Sequence, residues 1–216
     1  MNRLRLVIVI SGAGSNMQAI AEACRAGQLD AEIVLVVTNR SDAGGLQRAA
    51  ELGLPTRVVA SVAGESREQF DQRLCDTLNS VAPDVVVLAG YMRILSAQFV
   101  AAFAGRLLNI HPSLLPRHKG LHTHQRALEA GDAEHGATVH LVTAELDGGP
   151  PLLQGRLAVR ANDTAESLAQ RVQRIEHQIY PAALQLIASG RLRTMGHYPE
   201  LDGQPLVEPL KAEFED

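Results

Sequence analysis

Asn109 and His111 stand two residues apart where an apolar run, Arg106 to Ile110, meets Pro112. In an extended chain that spacing puts both side chains on one face. An Asn amide is a neutral donor to a developing oxyanion, and a His holds or donates a proton near neutral pH. A turn with a structurally hydrogen-bonded His fits the same local pattern. Asp147 lies in Glu145-Leu146-Asp147-Gly148-Gly149-Pro150, a tight loop between two apolar runs. A carboxylate held there is able to pair with an imidazole and keep it protonated. An Asx-type turn explains Asp-Gly-Gly equally well.

A second candidate is the loop Ser11-Gly12-Ala13-Gly14-Ser15-Asn16, which follows the first apolar run and opens a helical pattern. A helix N-terminus offers N–H groups and a positive dipole end to an anion, and glycines allow a phosphate to approach closely. The dinucleotide fingerprint fails, because Met17 stands where a third glycine is needed and Thr38-Asn39-Arg40 supplies no acidic residue after the second run. The Walker pattern fails for want of Gly-Lys. The plain alternative makes Ser15 a helix cap, with Gln18 completing a capping box. His118, His122, His124, His135 and His140 invite a metal reading, but no spacing matches a zinc template, and Cys24 and Cys75 fall in separate helical patterns. No metal is expected, and His140, alternating within a strand pattern, reads as a buried and satisfied histidine.

The elements that must position these residues are legible as alternation. Leu4–Ile10, Glu32–Val37, Pro55–Ala60 and Asp84–Ala89 are short apolar runs of the kind covered on both faces. Between them, residues 15–26, 43–52 and 67–81 carry apolar residues at helical spacing, and Ser66 with Gln69 signals a capping box. This predicts an α/β fold: a doubly wound, mostly parallel twisted sheet with helices on both faces and ligands beyond the carboxyl ends of its strands. The second half is less regular. It predicts a strand at Arg106–Ile110, a loop over 112–121, a short helix at Thr123–Ala130 and strands at Ala137–Val142 and Pro151–Val159. A long helix then runs from Asp163 and is bent or ended at Pro181.

Composition narrows the function classes. The 216 residues are 46% hydrophobic and 20% charged, with formal net charge −4. This is ordinary globular composition, and it argues against disorder and against a dedicated nucleic-acid surface. Two cysteines make no disulfide framework and suit a reducing compartment. No run approaches the roughly 20 apolar residues of a membrane helix. A cytoplasmic location is therefore expected, without nucleic-acid or membrane partners.

Together, Ser11-Gly12-x-Gly14-Ser15-Asn16, Ser66-Arg67, Ala89-Gly90-Tyr91-Met92-Arg93-Ile94-Leu95, Leu108 to Pro116, Gly120-Leu121-His122-Thr123-His124, Glu145 to Pro150 and Glu176-His177-x-x-Tyr180-Pro181 closely resemble the phosphoribosylglycinamide formyltransferases. The landmarks span residues 4 to about 190. The resemblance implies a Rossmann-like formyltransferase fold over 1–216: a phosphate-binding half at 1–105, a folate and catalytic half at 106–195, and a loosely held tail at 196–216. It implies that Gly14, Ser15 and Asn16 bind the ribose phosphate of phosphoribosylglycinamide, with Gln173 and Glu176 completing that site. Arg67, Met92, Arg93, Ile94, Leu95, Asn109, Thr143, Ala144, Glu145, Leu146 and Asp147 would bind 10-formyltetrahydrofolate, the co-substrate. Asn109, His111 and Asp147 would be catalytic. A homodimer is allowed by the resemblance but not specified by it. Other users of the same folate are the alternative: a formyltetrahydrofolate hydrolase is expected to need an N-terminal regulatory domain, and a methionyl-tRNA formyltransferase a C-terminal one. A non-catalytic nucleotide-binding module would need the phosphate loop but not the three catalytic residues together.

Overall fold

Strand β1 (Leu4–Ile10) is a run of branched apolar residues whose last five are fully buried. The computed structural model describes residues 3–195 and 198–214, and the chain divides into two compact units, Met1–Asn109 and Ile110–Asp216. In the first unit, β1 leads into α1 (Ser15–Arg25), which buries Met17, Ile20 and Ala21. There follow β2 (Ala31–Thr38), α2 (Gly44–Glu51), β3 (Thr56–Val58) and α3 (Arg67–Asn79). Helix α3 starts with the expected capping box: the Gln69 N–H donates to Ser66 Oγ, and Gln69 Oε1 accepts from the Ser66 N–H. Strand β4 (Val85–Leu88), α4 (Ala97–Ala102) and the start of β5 (Leu107–His111) complete the unit.

All strand pairs here are parallel, in the order β3-β2-β1-β4-β5. Chain order therefore reverses between β1 and β4, the switch point beyond whose carboxyl ends ligands bind in doubly wound sheets. Two expectations change. The strand placed at Pro55–Ala60 is only Thr56–Val58 and exposed throughout, because β3 is the edge strand. Helix α4 is additional to the expected elements; six residues are too few to show a period, although Ser96 caps it by accepting from the Phe99 N–H.

The second unit takes up the last two residues of β5 and continues through α5 (Thr123–Glu129), β6 (Glu134–Leu141), β7 (Pro151–Ala158) and α6 (Ala165–Ala188). Strands β6 and β7 are antiparallel, with Thr138 opposite Gln154. Helix α6 packs on β7 at Gly155, where a Cβ would meet Ile175 Cγ2 at 2.2 Å and Ile179 Cγ2 at 2.9 Å. Pro181 neither ends nor splits α6. The helix continues to Ala188 because Ile179, Tyr180, Ala183 and Leu184 on either side of it are buried, which offsets the roughly 3 kcal/mol cost of an interior proline.

Beyond α6, β8 (Leu192–Arg193), β9 (Glu200–Leu201) and β10 (Gln204–Pro205) form a small antiparallel sheet. Strand β11 (Leu210–Glu213) then adds to β7 in parallel. Within the segment expected to be a tail, residues 200–201, 204–205 and 210–213 pair by backbone. Its short, mixed-polarity segments carry no run that alternation would reveal. Among the described residues, no helix is long and apolar enough to cross a membrane.

Candidate active site

The carboxyl ends of three strands in the first unit meet at Ser11. Its hydroxyl donates to Asn39 Oδ1 (2.7 Å), beyond β2, and accepts from the Met92 N–H (2.9 Å), beyond β4. Ser11 itself directly follows β1 and is buried. From there the chain enters α1 through Gly14, which has φ 74° and caps the helix without a side-chain bond. The capping box considered for Ser15 and Gln18 does not form. Ser15 is already the first helical residue, and the Gln18 side chain donates to Glu22 four residues on.

Gly14 is needed for two reasons. Its φ disfavours any other residue, and a Cβ would stand 2.9 Å from Gly45 Cα. The glycine thus seats the loop against α2. Asn16 is buried in the first turn, Ser15 is half-buried, and that turn carries no acidic residue to oppose an anion at the positive end of the helix.

Near the start of α3, Arg67 is exposed. Arg93, in the β4–α4 connection, lies 4.0 Å over the Phe70 ring and donates to Ser61 Oγ at 2.6 Å. Met92 and Ile94 are exposed at 74% and 62%, and Leu95 is half-buried. Two apolar side chains held open beside a stacked guanidinium suit a flat, partly anionic ligand. Tyr91 points the other way. Its hydroxyl is buried without a hydrogen-bond partner, and burial pushes its pKa up.

In strand β5, Asn109 is half-buried and His111, two residues on, is 7% exposed. His111 Nε2 lies 3.0 Å from the His118 carbonyl oxygen, and Nδ1 lies 3.4 Å from Asp147 Oδ2. A carbonyl only accepts, so Nε2 carries a hydrogen. Nδ1 thus faces the Asp147 carboxylate across that 3.4 Å gap.

Asp147 has φ 48°, a left-handed conformation stabilised from elsewhere in the unit: its Oδ2 accepts from the Gly120 N–H at 2.9 Å. This distant partner makes Asp147 more than a turn residue closing on its own backbone. Gly149 lets the loop fold back, since a Cβ there would come within 1.8 Å of the Leu141 carbonyl oxygen. Within the loop, Thr143, Ala144, Glu145 and Leu146 are exposed, and Lys119 bonds Glu145 at 2.7 Å. Gln173 is exposed and Glu176 half-buried on α6.

Burial favours the neutral form of three other histidines, His124, His135 and His140. His140 donates from Nδ1 to the Leu141 carbonyl (2.9 Å), and burial pulls its pKa down to about 4. Its Nε2 lies 3.9 Å from Asp147 Oδ1, so it walls the carboxylate without neutralising it. His124 Nδ1 meets His135 Nε2 at 3.1 Å. Burial lowers both, His135 to about 4. His118 Nε2 donates to Asp132 Oδ2 at 2.7 Å. Among the described residues no group of three or more potential ligands could hold a metal ion.

Residues 4–184 match the family model described as formyl transferase. The chain belongs to the formyl transferase family. This formyltransferase is 50% identical to the phosphoribosylglycinamide formyltransferase of Escherichia coli (strain K12) over 94% of its own length and 96% of that protein's. It is 44% identical to the Haemophilus influenzae enzyme of the same name, over 94% and 95% of the two chains. The solved phosphoribosylglycinamide formyltransferase of Coxiella burnetii superimposes with a TM-score of 0.91 at 45% identity, covering 96% of this chain and 99% of that one.

Sequence reading of this formyltransferase missed Ser11 as the tie between strand ends, and the His118 carbonyl and Gly120 N–H as partners of His111 and Asp147. Backbone groups carry no residue-type signal, and a serine that ties strand ends distant in sequence leaves no local pattern.

Proposed function

We propose that this formyltransferase moves the formyl group of 10-formyltetrahydrofolate to the amine of 5'-phosphoribosylglycinamide, a step of de novo purine (IMP) biosynthesis in the cytoplasm. The observation that carries the reading is the His111 ring set between two oxygen acceptors, with Asn109 two residues away in the same strand. The amine nitrogen attacks the formyl carbon, and the carbonyl π pair moves onto oxygen. The Asn109 amide and the His111 Nδ1–H stabilise that oxyanion. The 3.4 Å separation from Asp147 is longer than a strong hydrogen bond, which leaves the Nδ1–H available to the oxyanion. Asp147 accepts the proton the amine loses and passes it to N10 as the oxyanion pair re-forms the carbonyl and the carbon–N10 bond breaks. The products are the formylated ribonucleotide and tetrahydrofolate.

Gly14, Ser15 and Asn16 hold the phosphate in this reading, and Gln173 and Glu176 orient the glycinamide. Arg67, the Met92–Leu95 segment and Thr143–Asp147 take the folate. No metal is assigned a role. The test is loss of the folate formyl group in the presence of phosphoribosylglycinamide, followed by absorbance with purified enzyme. Turnover that needs phosphoribosylglycinamide supports the reading. Turnover with water alone, or with a formyl acceptor lacking the phosphate, overturns it.

A further inference from the structure

Gln154 is 2% exposed on β7, and both hydrogens of its amide are committed. Nε2 donates to the Leu115 carbonyl at 2.8 Å and to Thr138 Oγ1 at 3.1 Å. Its Oε1 accepts from Arg156 at 3.2 Å. Thr138, directly opposite in the β6–β7 register, also accepts from the Leu115 N–H at 3.1 Å. A hydroxyl has two lone pairs and one hydrogen. With both lone pairs taken by N–H donors, the Thr138 hydrogen has one direction left, and it goes to the Ser113 carbonyl at 2.6 Å. Gln154 thus fixes one backbone group of the turn directly and a second through the orientation it imposes on Thr138.

The segment so held runs from His111 to His118. The Ser113 N–H donates to the His111 carbonyl (2.8 Å), and Ser113 Oγ donates to the Arg117 carbonyl (2.7 Å). The next residue, His118, supplies the carbonyl at His111 Nε2. We infer that Gln154 is a positioning residue for the formyl transfer: by clamping 113–115 it delivers the His118 carbonyl to His111 Nε2 and so aims Nδ1 at Asp147 and the oxyanion. The catalytic part of this inference rests on the proposed function; the ring-positioning part does not.

The test uses Gln154→Met, which keeps length and apolar bulk without hydrogen bonds, and Gln154→Glu, which keeps shape and the acceptor but loses the donors. In wild type, the His111 Nε2–H should appear by NMR as a slowly exchanging signal coupled to Nε2. In either folded variant that signal should broaden or vanish, and kcat should fall between about tenfold and a hundredfold with both KM values within about twofold, the size of effect expected for a misplacement of about 1 Å.

A variant with lowered Tm but an unchanged Nε2–H signal and unchanged kcat makes Gln154 a purely structural residue and overturns the inference. Should neither variant fold, wild type alone decides. An Nε2–H that exchanges freely, or a Leu115 amide exchanging as fast as an exposed loop, overturns the clamp; protection of both supports it. If wild type does not formylate phosphoribosylglycinamide, the signal still reports whether Gln154 sets the ring, so the two readings fail separately.

Discussion

Asn109, His111 and Asp147 stabilise one tetrahedral species in the proposed reaction, so their removals should not add. Asn109→Ala deletes one oxyanion donor and is expected to lower kcat by about 10²–10³, close to 3 kcal/mol of transition-state stabilisation. Asp147→Asn keeps an acceptor for the Gly120 N–H but takes the negative charge from beside Nδ1. Single-turnover rates for Asp147→Asn, His111→Asn and the pair should show the double variant little worse than the worse single one. A double variant that loses the full sum would mean independent action. Arg67→Ala is expected to raise the KM for 10-formyltetrahydrofolate, whose glutamate tail is anionic, and to do so more at low ionic strength, where screening is weaker. A KM that stays unchanged at low salt removes Arg67 from the folate site. At this scale the side-chain chemistry was readable: a His and an Asn at strand spacing and an Asp beside two glycines. What the chain does not spell out is that the partners of His111 and Asp147 include backbone groups of His118 and Gly120.

Elements were readable where a period had room to repeat. Strand β1, helix α3 with its capping box, and the apolar stripe of α6 each run seven residues or more. Helix α4 and strands β8 to β10 are too short for that, and β11 pairs as a short edge strand with only half-buried and exposed residues. Pro181 does not end α6, because the residues on both sides of it are buried. The N-terminus of α1 was correctly placed, but the residue that ends the loop is a left-handed glycine rather than a serine cap. That changes how a phosphate site there is to be tested. A side chain at Gly14 would collide with Gly45 and damage the loop itself, so substitution confuses folding with binding. Titration with ribose 5-phosphate is cleaner. The Ser15 and Asn16 amide resonances should move most, because helix N-terminal N–H groups bind the anion. Largest shifts outside 11–18 would place the phosphate elsewhere.

Over the whole molecule, the net charge of −4 says little about acid stability, since stability follows proton uptake rather than charge balance. Three histidines of the second unit decide it near neutrality. His135 and His140 have pKa values pulled down to about 4, first by burial, and His124 is lowered for the same reason. Unfolded, each would titrate near 6.5. Between those values the unfolded chain binds protons that the folded chain refuses, so folding stability is full above about pH 6.5 and falls as pH drops toward about 4. Each such group contributes a slope of roughly 1.4 kcal/mol per pH unit in that window. The carboxylates lowered by ion pairs or hydrogen bonds, among them Asp42, Glu65 and Asp163, lose their contribution only at lower pH. Urea unfolding of wild type should therefore show its midpoint dropping steadily from about pH 7 to about pH 5. His135→Gln removes one of the three groups without touching His111 or Asp147, and its stability should depend on pH less steeply by about one group's slope. An unaltered slope in His135→Gln would mean that His135 is protonated in the folded protein and that its contact with His124 is not the neutral pair described above.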